Sequence, residues 1–418
     1  MLERITLEQA LDLMLEKARP LETVTVDLLD AVGMAAGEEV RAAWDLPSFD
    51  RSPLDGYALR AADTAPAGGG KTVELEMVER IHAGYPARRA VGPGTAIALD
   101  TGAPIPPGAD CVIRLEETVV TENGVRIRRR LASGENVIRA GEDIKAGETA
   151  VRTGQRIDGA VVGLLAGLGL DRVKVFRKPR VAVFATGNEF ADRGGPPAFG
   201  RIHLSNPYAL AGCVRELGCQ ARLFASVPDD RARIAAGFGE AMACCEVVLS
   251  SGGTSMGDRD VVGDALSAVG AEPVFRQVRL KPGSQVVLAQ KDGRFVVNLS
   301  GNRSAAWIAF LLLVRPLLLR LAGFNDVLPV RVKGIMAQPF AKNSPQRRFL
   351  MVRAEWRSNG YLAALAGWQS PASLRAPALG NALVDIPAGH GPLAAGDEVD
   401  ILLLQPNNNG STLDRPSG

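Results

Sequence analysis

Leu249-Ser-Ser-Gly-Gly-Thr-Ser-Met-Gly-Asp-Arg-Asp260 follows the apolar pair Val247-Val248 and precedes a helix-patterned segment at 261–269. An apolar strand, a glycine-rich turn and a helix in that order read as one layer of an α/β sheet. Gly252, Gly253 and Gly257 allow backbone angles closed to other residues and let a ligand approach the main chain. Ser250, Ser251, Thr254 and Ser255 add hydroxyls, and the N–H groups exposed in such a turn favour anions, usually phosphate. Asp258 and Asp260 carry the wrong charge for phosphate unless a divalent cation sits between them, which points to magnesium. The alternative is a strand-to-helix turn that binds nothing.

The same alternation extends on both sides of this stretch. Strands are expected at 181–184, 220–226, 246–249 and 295–299, with helices at 207–217, 230–243 and 261–269. A long apolar helix at 305–321 follows, with a kink expected at Pro316. Such alternation implies a parallel sheet covered on both faces, and ligands collect at the carboxyl ends of its strands. Thr186-Gly-Asn-Glu189 and the 250–260 turn both follow strands, so they are expected to line one crevice.

Beyond this α/β unit, assigned to 179–325, the pattern changes. The chain opens directly on an amphipathic helix at 7–18, capped by Thr6, and an apolar segment at 26–34 follows. Residues 51–138 carry short alternating segments between Gly/Pro turns, a β-rich domain in which Arg126 to Arg130 reads as a solvated hairpin edge. Residues 139–178 hold Gly-punctuated elements and one short buried helix at 159–167. They are expected to pack back on 1–50 as a discontinuous N-terminal domain. Residues 326–404 show short strands at 330–332, 348–352, 361–363, 382–386 and 398–404, a small β-barrel, and 405–418 read as a disordered tail.

Composition narrows the function. Of 418 residues 46% are apolar and 22% charged, as in an ordinary soluble protein. A net charge of +2 gives no pull toward nucleic acid or membrane. The five cysteines form no Cys-x-x-Cys pair, and His82, His203 and His390 are too few for a histidine metal centre. No signal peptide is seen, and the longest apolar segment, at 305–314, is short for a bilayer, so a reducing cytoplasmic compartment is expected.

Several motifs then fall in one order: Ser52-Pro-Leu-Asp55-Gly-Tyr-Ala-Leu59, Thr101-Gly-Ala-Pro-Ile-Pro-Pro-Gly-Ala-Asp110, Gly141-Glu-Asp-Ile-Lys-Ala-Gly147, Ala185-Thr-Gly-Asn-Glu189, Ser205-Asn206, the 250–260 turn, Lys281-Pro-Gly283 and Leu299-Ser-Gly-Asn302. Over residues 1–404 this resembles the molybdopterin molybdenumtransferase family, known as MoeA in bacteria and as the E domain of gephyrin in animals. The resemblance implies an elongated homodimer of four-domain subunits. It implies insertion of molybdate into adenylated molybdopterin with magnesium-dependent release of AMP, in a cleft between the α/β domain of one subunit and the β-rich second domain of the other. It carries catalytic roles onto Asp260, Glu189, Asp55, Thr101, Asp143 and Lys281, and magnesium onto Glu189, Asp229 and Asp260. Cofactor contacts fall on Thr186, Gly187, Ser250, Ser251, Gly252, Gly253, Thr254, Ser255, Asn302, Arg353 and Ser370. Molybdoenzyme apoproteins or other cofactor-biosynthesis proteins are the implied partners, with no nucleic acid and no membrane.

Several of these residues have a plainer reading. Glu189 and Asp229 also suit helix starts, Asp143, Asp55 and Thr101 suit turns, and Lys281 suits a solvated strand end. The chain also departs from the family pattern. Leu299-Ser300-Gly-Asn302-Arg303 lacks two prolines, which is expected to loosen the turn. Gln277 and Ser284 stand where lysines are usual, and Asn188 and Leu204 where acids are. Arg276, Arg279 and Arg303 are the candidates to restore the lost positive charge. Two other functions compete with the transferase: a carrier that binds the cofactor without inserting metal, and an adenylyltransferase resting on the α/β domain alone.

Overall fold

The computed structural model describes residues 2–191, 194–253, 261–358 and 360–404. Its centre is a seven-stranded sheet in the order Leu2–Ile5, Glu272–Val278, Val286–Lys291, Arg294–Leu299, Val247–Ser251, Arg180–Ala185, Gln220–Leu223. Six strands run parallel, and Val286–Lys291 alone is antiparallel to both its neighbours. The expected all-parallel sheet is therefore mixed. The cause lies in Asp292-Gly293, both in the left-handed region at φ 47° and 75°. That dipeptide makes a tight hairpin and reverses the chain between Lys291 and its partner Arg294. A strand, Leu2–Ile5, also precedes the first helix, which the sequence pattern does not announce.

Side chains alternate along these strands as a pleated sheet requires. Val181, Val183, Val247 and Leu249 enter the core on one face, beneath helices Leu7–Lys17, Asn206–Glu216 and Arg303–Ala309. Ala182, Phe184 and Val248 enter the other, beneath Arg231–Cys244 and Val261–Ala268. Helix Leu7–Lys17 starts at Thr6 as expected: Thr6 Oγ1 accepts from Gln9 N at 3.2 Å and Gln9 Oε1 accepts from Thr6 N at 3.0 Å.

The helix that begins at Arg303 runs to Leu321 and is long and apolar enough to cross a membrane, but 83% of its most apolar window is buried inside the fold. It forms core here. Its irregularity is a π turn at Phe310–Val314, directly before Arg315–Leu321. Pro316 has no N–H to give a residue four back, and the wider turn absorbs that gap where a simple kink was expected.

Thr23–Asp27 pairs with Arg172–Phe176, and Val40–Arg41 with Thr149–Val151, so segments on either side of 51–138 fold together. Helix Gly159–Gly167 lies here, capped by the Asp158 carboxylate at 2.9 Å from Val161 N. It is not the buried helix expected: Leu165 alone is buried, because apolar residues surround the helix on every side and one face only meets the core. Residues 51–138 contain a six-stranded sheet in which Gly56–Leu59 lies between Cys111–Arg114 and Thr95–Leu99. The Arg126–Arg130 run is ion-paired rather than merely solvated, with Arg126 on Glu74 at 3.2 Å and Arg129 between Glu117 and Glu135, each at 2.7 Å.

Five strands, Val330–Met336, Arg347–Arg357, Gly360–Leu365, Ala382–Ile386 and Glu398–Leu403, close into the expected barrel. Leu280–Lys281 adds to it alongside Arg347 and Arg348, joining barrel to α/β unit. Arg347 strengthens that joint by reaching both Glu8 of the first helix and Asp385 of the barrel.

Candidate functional site

Three neighbouring strands of the central sheet end together, and their carboxyl-end turns interlock. Thr186 N donates to Ser251 O at 2.9 Å, and Gly252 N donates to Leu299 O at 3.1 Å. Gly252 (φ 104°) has to be glycine, since a Cβ there would collide with the Thr186 carbonyl. At Gly253 a Cβ would stand 2.9 Å from Thr186 Oγ1. Beneath the turns lies Asn298, wholly buried. It accepts from Ser250 Oγ at 2.7 Å and donates to Gly252 O at 3.2 Å. Asn206 Nδ2 likewise holds Gly301 O at 2.9 Å. Thr186 is 1% exposed, and its buried hydroxyl has no partner among the described residues.

The turns wall a cleft of about 610 Å³ whose lining includes Thr186, Glu189, His203, Leu204, Ser205, Asp229, Ser251, Gly252, Gly253, Gln285, Asn302 and Arg303. Its charges are opposed. Glu189 does not start a helix: the chain continues as the short strand Phe190–Ala191, paired with Ile202–His203. Asp229 does not cap one either, because Asp230 does so, its Oδ1 accepting from Arg233 N at 2.9 Å. Both carboxylates are thereby left to the cleft. Burial and then the Glu189 charge raise the Asp229 carboxyl above its ordinary range. Two carboxylates repelling each other beside hydroxyl and carbonyl oxygens form a hard-oxygen donor set of the kind Mg²⁺ takes. Among the described residues no third His, Cys, Asp or Glu joins them. Asp260, Thr254 and Ser255 lie outside the described residues.

The positive charge comes from Arg303, whose Nε donates to Ser205 Oγ at 3.2 Å. Arg303 opens the long helix, and Asn302 in front of it is held by Ser300: Asn302 N donates to Ser300 Oγ at 3.2 Å. The turn that lacks two prolines is thus fixed by a hydroxyl. Ser304 N and Ala305 N both donate to Pro371 O, at 2.9 and 3.3 Å, which brings the barrel loop with Ser370 to the rim. The Ser370 hydroxyl is engaged within that loop, accepting from Ala372 N at 3.3 Å.

Other expected residues stand elsewhere in the chain. Asp55 accepts from Thr101 N and Oγ1 at 2.6 and 2.8 Å on the six-stranded sheet, and these bonds hold its carboxyl below the ordinary range. Asp143 is exposed in a turn, its N–H on Leu46 O at 3.1 Å. Arg353 pairs with Glu355 at 3.0 Å on the barrel, and Lys281 is exposed on the strand beside Arg348. None of these five residues lines the cleft. Sequence reasoning missed Asn298, His203 and Gln285. Asn298 left one signal, an amide inside the otherwise apolar strand Arg294–Leu299. Gln285, which accepts from Gln277 Nε2 at 3.4 Å, left none.

A glycine-rich crevice of this construction, joined to a five-stranded barrel and a discontinuous N-terminal unit, has counterparts among known proteins. Residues 5–169 match the MoeA N-terminal region (domain I and II), 182–320 a probable molybdopterin binding domain, and 333–404 the MoeA C-terminal region (domain IV). A protein of Staphylococcus aureus named molybdopterin molybdenumtransferase is 32% identical over 401 residues, covering 96% of each chain. The chain belongs to the MoeA family. A Staphylococcus epidermidis relative of the same name is 30% identical, over 97% of this chain and 96% of its own. Among solved structures, a molybdopterin biosynthesis moeA protein of Pyrococcus horikoshii OT3 superposes with a TM-score of 0.83 at 29% identity, covering 96% of this chain and all of that one.

Proposed function

We propose that this MoeA-family chain is a molybdopterin molybdenumtransferase, which inserts molybdate into adenylated molybdopterin and releases AMP. The observation that carries the reading is one cleft holding interlocked glycine turns, a carboxylate pair at Glu189 and Asp229, and Arg303 at a helix start. The amides of Thr186, Gly252, Ser304 and Ala305 are already bonded to carbonyls, so side chains meet the phosphoryl oxygens here. Arg303 adds a charge-assisted donor there and replaces cations that Gln277 and Ser284 do not supply. Glu189, Asp229 and Asp260 would hold Mg²⁺, which would supply positive charge to the phosphoryl oxygens of the pyrophosphate linkage. Thr186, Gly187, Ser251, Gly252, Gly253, Thr254, Ser255 and Asn302 form the cradle for molybdopterin, and Ser250, buried with its hydroxyl on Asn298, supports it from beneath.

The reading assigns four domains, 1–50 with 139–178, 51–138, 179–325 and 326–404. It also assigns a homodimer in the cytoplasm. Asp55, Thr101 and Asp143 stand away from the cleft of their own chain, and in the dimer they serve the cleft of the second copy. Lys281, Arg353 and Ser370 complete it from the barrel side. Apoenzymes of molybdenum proteins receive the product, and neither nucleic acid nor membrane takes part. AMP release from adenylated molybdopterin with molybdate tests this. Release is expected to need magnesium and to fall by about 100-fold in Glu189→Gln, a loss of the order seen when a key electrostatic contact is removed. Release that ignores both magnesium and Glu189→Gln would refute the assignment.

A further inference from the structure

We propose that Arg156, Lys178 and Arg315 form a second anion site, taking a tetrahedral oxyanion of the phosphate class at the seam between the N-terminal unit and the α/β unit. The site is built around a small apolar cluster of Ala35, Leu319, Ala322, Phe324 and Val327, against which Phe176 and Leu217 pack. Arg156 and Arg315 are held at that cluster from different segments, and Lys178 lies beside Gly218, next to Leu217. The Arg156 guanidinium lies over the Phe324 ring, 4.3 Å from its centroid. Arg315, on the long helix, donates from one terminal nitrogen to Val327 O at 3.3 Å. The Lys178 amine occupies space that exists only because residue 218 is glycine, held at φ 71°, and a Cβ on Gly33 would also touch it at 4.0 Å. None of the three lines the cleft.

Three acids near this seam, Glu22, Glu38 and Glu246, are already paired, while Asp326 is exposed between Phe324 and Val327. Arg177 binds Glu22 at 2.5 Å and Glu246 at 3.2 Å, Arg180 binds Glu246 at 2.6 Å, and Lys174 binds Glu38 at 2.6 Å. Among the described residues Arg156, Lys178 and Arg315 have no carboxylate partner. Burial acts against the charge on all three, and the Arg156 charge bears on both Lys178 and Arg315. Partly desolvated like charges with no counter-charge destabilise a fold. An oxyanion between them removes that penalty. Guanidinium and ammonium groups both donate charge-assisted hydrogen bonds to such oxygens. The apolar cluster is closed over, so the ligand is a free ion or the exposed phosphoryl group of a larger molecule.

The test uses full-length protein carrying Arg303→Gln, which removes the cation of the cleft, in phosphate-free chloride buffer. Inorganic phosphate and methyl phosphate are titrated calorimetrically, and melting is followed with each. We expect one equivalent of phosphate to bind and raise the melting temperature. Equal binding of methyl phosphate identifies a phosphoryl-group site, and its exclusion a free-ion site. Adding Arg156→Gln lowers the affinity roughly tenfold, the loss of one charge-assisted contact. Adding Arg315→Met raises the melting temperature without phosphate and abolishes the rise with it. Absence of binding to the parent, or binding undiminished in the exposed-residue variant Arg156→Gln, overturns the proposal. Arg156 is itself exposed, so its variant is expected to fold and remains decisive even if Arg315→Met does not.

Discussion

Asn298 is the residue on which the geometry of the cleft depends most. Its amide serves Ser250 on one side and Gly252 on the other, so one buried side chain fixes two turns. Replacing it with alanine leaves a buried hydroxyl and a carbonyl unpartnered, at a cost of about 1–3 kcal/mol each before relaxation. Asn298→Ala is expected to lower unfolding free energy in urea by about 2 kcal/mol. Asn298→Asp, which sets a buried carboxylate oxygen against the Gly252 carbonyl, is expected to lose more than Asn298→Ala. A smaller loss in Asn298→Asp would mean that the bond to Gly252 O contributes nothing. The site was legible in sequence where glycines, hydroxyls and carboxylates cluster, as at Thr186 to Glu189. It was not legible at Asn298 or Gln285, whose roles arise from partners distant in the chain. The plain readings of Glu189 and Asp229 as helix starts failed for local reasons. A strand follows the first, and the residue after the second takes the cap.

Glu246 shows the same economy among the elements. It precedes strand Val247–Ser251 and binds Arg180 at the start of the neighbouring strand and Arg177 in the link to the N-terminal unit, while Arg177 also holds Glu22. Burial alone would raise its pKa, but hydrogen bonds from Arg180 and Arg177 hold it down at about 2. A depressed carboxylate pKa contributes stability that is complete above the unfolded value of about 4.3 and is lost as pH falls through the folded one. Glu246→Gln should therefore lower the melting temperature at pH 7 by about 2–4 °C. That difference should shrink between pH 5 and pH 2, followed by scanning calorimetry. A difference that persists at pH 2 would assign the loss to packing instead of charge. At this scale the sequence resolved the helices on the central sheet and four of its seven strands, and left Leu2–Ile5, Glu272–Val278 and Val286–Lys291 unread. It also missed the hairpin at Asp292-Gly293, whose dipeptide is a recognised turn signal, and the π turn before Pro316.

At the scale of the molecule, the discontinuous N-terminal unit, the α/β unit and the barrel meet through named contacts: Leu2–Ile5 on Glu272–Val278, Leu280–Lys281 on Arg347–Arg357, and Arg347 between Glu8 and Asp385. The barrel loop thereby reaches the cleft through Pro371. Short segments such as Leu2–Ile5 and Leu280–Lys281 carry too little periodicity to be read as strands; long-range pairing alone makes them so. Family motifs, by contrast, spread across the whole chain, and they point to its architecture without any knowledge of contacts. The transferase assignment stands or falls on the amount of molybdenum bound to molybdopterin per AMP released, after incubation with adenylated molybdopterin, molybdate and Mg²⁺. A transferase gives equal amounts of both. Tight binding of the adenylated substrate with neither AMP release nor metal transfer would contradict it.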